Sequence, residues 1–569
     1  MSTGLALSAW DIVVFVAFLA TVVGVSLYAS RREKTSADYF LAGRKLTWPL
    51  IGISLIASNI STEHFVGMAG SAFGRVGLAI ASYEWMAAIC LVLVAWWFLP
   101  KFLKAGIYTM PQFLEYRYDS GARAIMATYL MVAYIIVLLA TVLYSGAIAI
   151  NAIFNLPNVF VERFGVAPNH AEYWATVAGI WSIGVIAGIY TVYGGLKAVV
   201  WSDLIQGGAL LLGGAIVTVL GLQILGGGNL LDGWNNFTAA NEAKLHVVLP
   251  WNDPDVPWLA VFVGGLWVPN LFYWGLNQFI TQRTLGAKSL AEGQKGIMLA
   301  AGLKLLIPFI IVVPGIMAYQ LYGAEISKLG GNVGDKAYPY MISQILPPQL
   351  RGIMFAALCG AVMSTFNSGL NSASTIFTID VYQKYFNKNV SERRQVAVGR
   401  IATAVIVVVS CLWAPVIMGF QGVFSYIQEF WGFITPGIVA AFVVGLLVKK
   451  TPAMAAKAAL LLNPLLYGLC RAPKWIWDAQ HPGAGSEAVV PPDGILGGVY
   501  QFSSWAFLHH VGLVFVVLAV FMLVVTRVRP LAKPVSMPTS EVDTTIHPQV
   551  YLLGSLVIVA TTVLYVIFW

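Results

Sequence analysis

The chain has 569 residues, of which 59% are hydrophobic and only 10% charged, against about 25% charged in ordinary soluble domains. A soluble fold of this size could neither bury so much apolar surface nor cover itself with so few charges, and the mean hydropathy of +0.78 agrees. The net charge of +8 comes from basic residues scattered over short inter-helix loops, which excludes a nucleic-acid surface and leaves a polytopic membrane protein.

The first apolar run, about Trp10 to Ala29, has no basic region before it and is long enough to cross a bilayer, so it reads as a span and not as a cleaved signal. A window of about 20 residues then finds fourteen candidate spans, centred near residues 19, 58, 88, 138, 182, 214, 269, 308, 366, 408, 436, 462, 516 and 559. None alternates like a barrel strand, so helices are expected. The span near 462 is the weakest, because it contains Asn463 and Pro464. With the N-terminus outside, most Lys and Arg fall on the cytoplasmic side, among them Arg31, Lys101, Arg123, Arg283, Lys384 and Lys449. Few, such as Arg75, Lys244 and Arg471, remain outside, which supports both termini outside and residence in a plasma membrane or bacterial inner membrane. Outer loops are expected over 227–256, 323–350 and 472–504, and a cytoplasmic linker over 530–547. Cys90, Cys359, Cys411 and Cys470 lack metal-site spacing and read as small apolar residues.

Several spans are not uniformly apolar. The second runs from Ile51 to Ser58 into the polar stretch Asn59-Ile-Ser-Thr-Glu-His64, and the seventh carries Pro269-Asn270 and then Asn277-Gln278. Two interrupted helices, each opening a run of five spans, predict two repeated halves around a site at mid-membrane, as in secondary transporters. Glu84 in span three and Lys304 in span eight are charges at membrane depth, which line a cavity or neutralise each other. Asp11 and Asp380 lie near span ends, where interfacial solvation is the expectation; Asp203 and Glu429 also lie nearer span ends. The pairs Gly207-Gly208 and Gly213-Gly214 in span six read as close-packing devices. In span nine, Ser364, Thr365 and Ser368 are neighbours at helical spacing. Such hydroxyls glue helices together or, with freed carbonyls, replace the hydration shell of a hard cation.

No arginine falls inside a predicted span, so the fork that carboxylate or phosphate cargo usually requires is not expected. The interior offers Asn59, His64, Glu84, Asn270, Lys304 and Gln428, with Tyr83, Tyr273, Trp274 and Phe424 as aromatic walls. Mixed donors and acceptors between rings suit a neutral polyhydroxylated solute.

At these residues the chain resembles the sodium/solute symporter family, in its sodium–glucose/galactose cotransporter branch. The matching stretches include Asp38-Tyr-Phe-Leu-Ala-Gly43, His64-Phe-Val-Gly-Met68, Tyr83-Glu-Trp85, Tyr193-Gly-Gly-Leu196, Gln282-Arg-Thr-Leu285, Asn371-Ser-Ala-Ser-Thr-Ile-Phe-Thr378 and Tyr426-Ile-Gln-Glu429. The resemblance implies an all-α integral membrane protein of about fourteen helices with a 5+5 inverted-repeat core of the leucine-transporter type. Residues 1–46 would hold the first helix and a cytoplasmic loop, 47–226 the first repeat and 227–256 an extracellular loop. Residues 257–449 would hold the second repeat and 450–569 three accessory helices. It also implies a sugar site of Asn59, His64, Glu84, Asn270, Lys304 and Gln428. Tyr273 would be the inner gate, with Trp274 beside it, and Met68, Tyr83 and Phe424 would close the outer side. Sodium would sit among Ala57, Ile60, Ala361, Ser364 and Thr365, and a second sodium among Asp203, Ser364, Asn367 and Ser368.

His64, Ala87 and Asn270 vary within the family, which leaves the hexose open. The expected function is Na⁺-driven import of a glucose- or galactose-like hexose by alternating access. The alternatives are another neutral polyol such as inositol or, in a different class, a sensor or channel. No nucleophile–base pair or cofactor loop appears, so neither an enzyme nor any cofactor beyond the coupling Na⁺ is expected. No nucleic-acid or obligate protein partner is implied; the partners are sugar, sodium and the lipid bilayer.

Overall fold

The computed structural model describes residues 9–31, 35–61, 63–154, 156–328, 333–419, 423–481 and 494–569. Among them the chain is helical throughout, with only two isolated bridges, Leu46 to Ala287 and Leu249 to Pro257. Eleven helices are long and apolar enough to cross a membrane, and two shorter apolar helices accompany them. One of the eleven, Pro168–Leu225, has 58 residues and at about 1.5 Å per residue is far longer than one crossing needs. It bends at Gly195, so it holds spans five and six, and the fourteen spans read from hydropathy are all accounted for. Gly195 has φ +51, and a Cβ there would lie 2.3 Å from the Tyr39 carbonyl oxygen. Only glycine permits that left-handed corner.

Span two comprises Trp48–Asn59, then a wide π turn over Glu63–Met68 and a last helical piece, Ala69–Phe73. The chain leaves helical geometry at Ile60 (φ −75, ψ 114). Span seven comprises Trp258–Phe262 and Trp267–Leu271, a π turn over Phe272–Leu276, and Gln278–Leu285 beyond an extended Asn277 (φ −84, ψ 121). Both interruptions read from polarity are therefore present, and each is bordered by a π turn, a device common at functional sites.

Span three (Gly77–Ala105) and span eight (Leu290–Ser327) lie beside these broken helices. Span eight carries Pro308 and Pro314 inside; each lacks the N–H that would bond four residues back, to Lys304 and Ile310. The Ile310 carbonyl is taken instead by the Tyr338 hydroxyl at 3.4 Å. Span nine (Leu350–Phe386) is the most deeply enclosed, with 94% of its apolar window buried, and packs on the long five–six helix and on span one (Ala9–Ser30). Span six approaches span two so closely that a Cβ on Gly207 would stand 2.6 Å from the Ala57 Cβ. Gly213 and Gly214 similarly press on Met354 and Ile310, but Gly208 faces open space, so only three of the four glycines are packing devices. Span four is Ser120–Asn151, span ten Glu392–Met418 and span eleven Val423–Gly432 with Thr435–Leu447; spans twelve, thirteen and fourteen are Ala453–Gln480, Phe507–Val528 and Gln549–Ile567. Cys90, Cys359 and Cys411 are buried and none of the four cysteines is paired.

The expected loops are more ordered than their composition implies. Helices Leu230–Ala240, Val333–Ile345 and Ile495–Ser503 lie within the three outer stretches. The stretch 530–547 has no regular structure, yet it is pinned: Leu531 N–H bonds the Lys450 carbonyl at 2.9 Å and Ser540 N–H the Lys104 carbonyl at 2.6 Å. Ser540 Oγ donates to the Leu103 carbonyl at 2.6 Å, and the Asp543 carbonyl accepts Leu290 N–H at 3.1 Å. It is a brace, not a free linker.

Candidate functional site

The π turn of span two projects His64 into the bundle. Its Nδ1 accepts the Ser61 N–H at 3.4 Å and its Nε2 lies 3.5 Å from Glu84 Oε1. An accepting Nδ1 places the neutral ring's proton on Nε2, aimed at the carboxylate. Glu84 also binds Lys304, whose ammonium donates in addition to Asn59 Oδ1 and lies 4.9 Å from the centre of the Trp274 ring. Both side chains are nearly enclosed, at 4% and 1% exposure. Asn59 then donates through Nδ2 to the Tyr273 hydroxyl at 3.0 Å. Spans two, three, seven and eight are thus joined by one chain of polar contacts, His64–Glu84–Lys304–Asn59–Tyr273.

These residues line a cavity of about 140 Å³ together with Met68, Tyr83, Asn270 and Trp274. Asn270 Nδ2 and Glu63 Oε1 are buried with no hydrogen-bond partner, and both residues line the cavity. An unpaired donor and an unpaired acceptor lining one cavity are costly unless a hydroxylated ligand meets them. Sequence reasoning noted Glu63 without giving it a place in the site, and missed Leu138, Leu266, Ile427, Trp431 and Thr435, which also line the cavity. The apolar members carry no signal that separates a cavity wall from ordinary core. The side chains of Gln428 and Phe424, expected at the sugar site and the outer gate, lie outside the described residues.

Below the cavity the break of span two meets span nine. Thr365, which lines the cavity as well, donates through Oγ1 to the Ser58 carbonyl at 3.0 Å, and Ser364 Oγ lies 3.1 Å from the Ala57 carbonyl oxygen. Ile60 and Ala361 are buried beside them. His64 N–H bonds Ser61 at 3.0 Å, so it does not take the Ile60 carbonyl. Two hydroxyls and backbone carbonyls without a soft ligand are the donor set a hard cation uses.

Deeper still lies Asp203, wholly buried, so it is not solvated at a span end. Its Oδ1 accepts Ser364 Oγ at 2.5 Å; its Oδ2 accepts Ser58 Oγ at 3.1 Å, the Ser54 hydroxyl and Arg283 Nη2 at 3.0 Å. Arg283 also donates to Ser54 Oγ at 2.5 Å and to Ser368. The expectation of an interior without arginine is therefore wrong. Arg283 is 1% exposed, because the helix after the Asn277 break is enclosed along its whole length, with all its residues, Gln278 to Leu285, buried. Its polar run Gln282-Arg283-Thr284 resembles a cytoplasmic loop, and hydropathy hides its depth. Asn367, expected to add an amide oxygen to the same set, donates through Nδ2 to the Tyr190 hydroxyl, and its Oδ1 is buried without a hydrogen-bond partner.

Two further expectations change. Asp380 is 1% exposed and accepts Thr109 Oγ1 at 2.9 Å and Arg123 Nε at 2.7 Å. Asp11, also 1% exposed, accepts the Gly352 N–H at 3.2 Å. Each carboxylate is buried and meets a group on another part of the chain, so neither is solvated at an interface.

The profile of the Sodium:solute symporter family matches residues 39–462. A sodium/glucose cotransporter of Vibrio parahaemolyticus is 42% identical over 472 residues, covering 79% of this chain and 83% of the relative. Sodium/myo-inositol cotransporter 2 of Sus scrofa is 33% identical, with 81% and 69% covered. Among solved structures, a Na⁺-coupled sialic acid symporter superposes with a TM-score of 0.71 over 93% of this chain and 99% of its own, at 20% identity, a likeness of fold. With that fold, its two broken helices and a family profile spanning most of its length, the chain belongs to the sodium:solute symporter family.

Proposed function

We propose that the protein imports a neutral hexose, glucose- or galactose-like, in symport with Na⁺ by alternating access. The observation that carries this reading is the cavity itself, whose lining supplies both hydrogen-bond donors and acceptors together with the rings of Tyr83, Tyr273 and Trp274. Sugar hydroxyls each donate and accept, and their C–H faces pack on rings. Glu84 and Lys304 neutralise each other, so the pair offers strong hydrogen bonds without favouring charged cargo. The likeness to the Vibrio sodium/glucose cotransporter supports the sugar and the coupling ion. The myo-inositol cotransporter relatives favour a second reading, a cyclic polyol in the same cavity. No finding favours a sensor or a channel.

Sodium would take the carbonyls of Ala57, Ile60 and Ala361 and the hydroxyls of Ser364 and Thr365 as its ligands. Bound there, it joins the broken span two to span nine and holds Asn59 and His64 where the sugar needs them, so ion and sugar raise each other's affinity reciprocally. We infer one ion per sugar, because Arg283 already supplies the positive charge at Asp203 that a second Na⁺ would bring. Met68, Tyr83 and Phe424 would close the cavity outside and Tyr273 inside, with both termini outside and the chain in the plasma membrane or inner membrane. Residues 47–226 and 257–449 would be the two inverted repeats, and no enzymatic step is involved.

Proteoliposome uptake of a labelled panel of glucose, galactose, mannose and myo-inositol, with and without a Na⁺ gradient, tests the reading. Na⁺-dependent accumulation of one or more hexoses is expected. Undiminished uptake when choline replaces Na⁺, or accumulation of inositol alone, would overturn it.

A further inference from the structure

Span twelve belongs to neither repeat, yet it carries three polar side chains that are fully or almost fully buried: Asn463, Tyr467 and Arg471. They sit at intervals of four residues, one face of a helix. All three meet span eleven, Asn463 and Tyr467 at its interruption and Arg471 one turn before it. Asn463 Nδ2 donates to the carbonyls of Gly432 and Phe433, where the helix is broken, and its Oδ1 accepts Gly437 N–H at 3.0 Å. The Tyr467 ring fills the space above Gly432, where a Cβ would meet it at 2.3 Å, and packs edge-on against Phe433 with centroids 5.0 Å apart. Arg471 forks onto both oxygens of Glu429 and donates through Nη1 to the carbonyls of Ser503 at 2.9 Å and Trp505 at 3.1 Å.

The gripped piece, Val423–Gly432, is the one that presents Ile427 and Trp431 to the cavity. Those two are one turn apart, whereas Glu429, two residues from each, points about 200° away at 100° per residue. Arg471 and Asn463 therefore hold the back of a half-helix whose front faces the cavity, and Glu429 adjoins Gln428 in the chain. Arg471, expected outside, is 8% exposed within the bundle, where polar and charged side chains cost several kcal/mol unless they are paired or line a cavity. A bidentate fork with four backbone and carboxylate partners fixes rotation as well as position.

We propose that Arg471, acting through Glu429, and Asn463 are positioning residues for the transported solute, setting the rotation of Val423–Gly432 and with it the cavity wall of span eleven. The proposal rests on the hexose-symport reading. Arg471→Met, Arg471→Lys and Glu429→Gln are to be compared with the wild type in proteoliposomes, with the reconstituted amount measured for each. Lysine keeps the charge but cannot fork. Lys474→Ala, which removes a half-exposed pair with Asp478 one turn further along the same helix, is the control. The expected result is a rise in sugar KM of about 2- to 30-fold, the usual size of coupling through residues that touch no ligand, largest for Arg471→Met and smaller for Arg471→Lys. The half-saturating Na⁺ concentration at saturating sugar should stay within about twofold of the wild type on the same scale.

Variants present at wild-type amount with unchanged sugar KM would overturn the proposal. So would a loss of reconstituted protein in Arg471→Met accompanied by unchanged KM in Arg471→Lys and Glu429→Gln, since that outcome marks a purely structural clasp. Absence of Na⁺-dependent sugar uptake in the wild type defeats the function reading instead and is seen before any variant is made.

Discussion

Arg283→Gln should turn the Asp203 cluster into a sodium site. In the wild type the carboxylate accepts three hydroxyls and one guanidinium, and only the guanidinium brings charge. Both members of the pair are at most 1% exposed, and removing one partner of a buried pair costs roughly 3–5 kcal/mol because the other charge is left uncompensated. That is a large share of the roughly 5–15 kcal/mol that keeps a domain folded. Na⁺ entering between Asp203, Ser364 and Ser368 would offset much of it: an ion present at 100 times its Kd stabilises by about 2.7 kcal/mol. The variant should melt well below the wild type in choline and recover most of the difference in Na⁺, while the wild type responds to Na⁺ only through the Ala57–Ser364 site. Transport gives a second measure. One cation crossing 100 mV supplies about 2.3 kcal/mol and a tenfold gradient about 1.4, so one ion sustains sugar accumulation of several hundred-fold, and two about 10⁵-fold. Reversal potentials in the wild type should therefore report one Na⁺ per sugar. A ratio of two in the wild type, or an Arg283→Gln variant as stable in choline as the parent, would refute the assignment of Arg283 as the resident cation.

Lys304→Met should cost about 3–5 kcal/mol of stability by isolating Glu84, and the double variant Lys304→Met/Glu84→Gln should regain part of it while still failing to bind sugar; additivity within about 0.5 kcal/mol in thermal melts would mean the two do not interact. Ser364→Ala should raise the half-saturating Na⁺ concentration several-fold, about the loss of one hydrogen-bonding oxygen, as read from uptake against Na⁺. In the loop after span six, burial pushes the Asp253 carboxyl up, but Arg75 and the N–H groups of Val256 and Asp255 together outweigh it and hold the carboxyl below its ordinary range. A depressed carboxyl contributes stability that is complete above its unfolded value, near 3.9, and lost as pH falls through the lower folded value. Hydrogen exchange at the amides of Asp255 and Val256, each 2.9 Å from Asp253 Oδ1, should therefore stay protected at neutral and mildly acid pH and open only in strong acid, or at neutral pH in Arg75→Ala.

Hydropathy alone suffices to count the spans, because lipid forces each helix to close its own backbone hydrogen bonds. The polar islands at Asn59–His64 and Asn270 were equally legible, since polarity at membrane depth has few other uses. What composition cannot carry is tertiary reach. Arg283 looks like a loop residue because its neighbours are polar, yet the helix that carries it beyond the Asn277 break is buried throughout. Asp11 and Asp380 lie at helix ends in sequence but meet Gly352 and Arg123 of other helices. Ile427 and Trp431 are indistinguishable from ordinary apolar residues until the cavity is seen.

The brace over 530–547 bears on how the protein can be engineered. An irregular stretch between two spans invites a purification tag, a fluorescent insert or a circular permutation point. Here, however, Ser540 holds the C-terminal end of the span that carries Glu84, and Asp543 holds the start of the helix that carries Lys304. Two or three added residues would leave the fold's helices intact and still let those two helices slide past each other by fractions of a turn. The result would be a protein that expresses and inserts normally but handles sugar poorly, a defect no expression screen would detect.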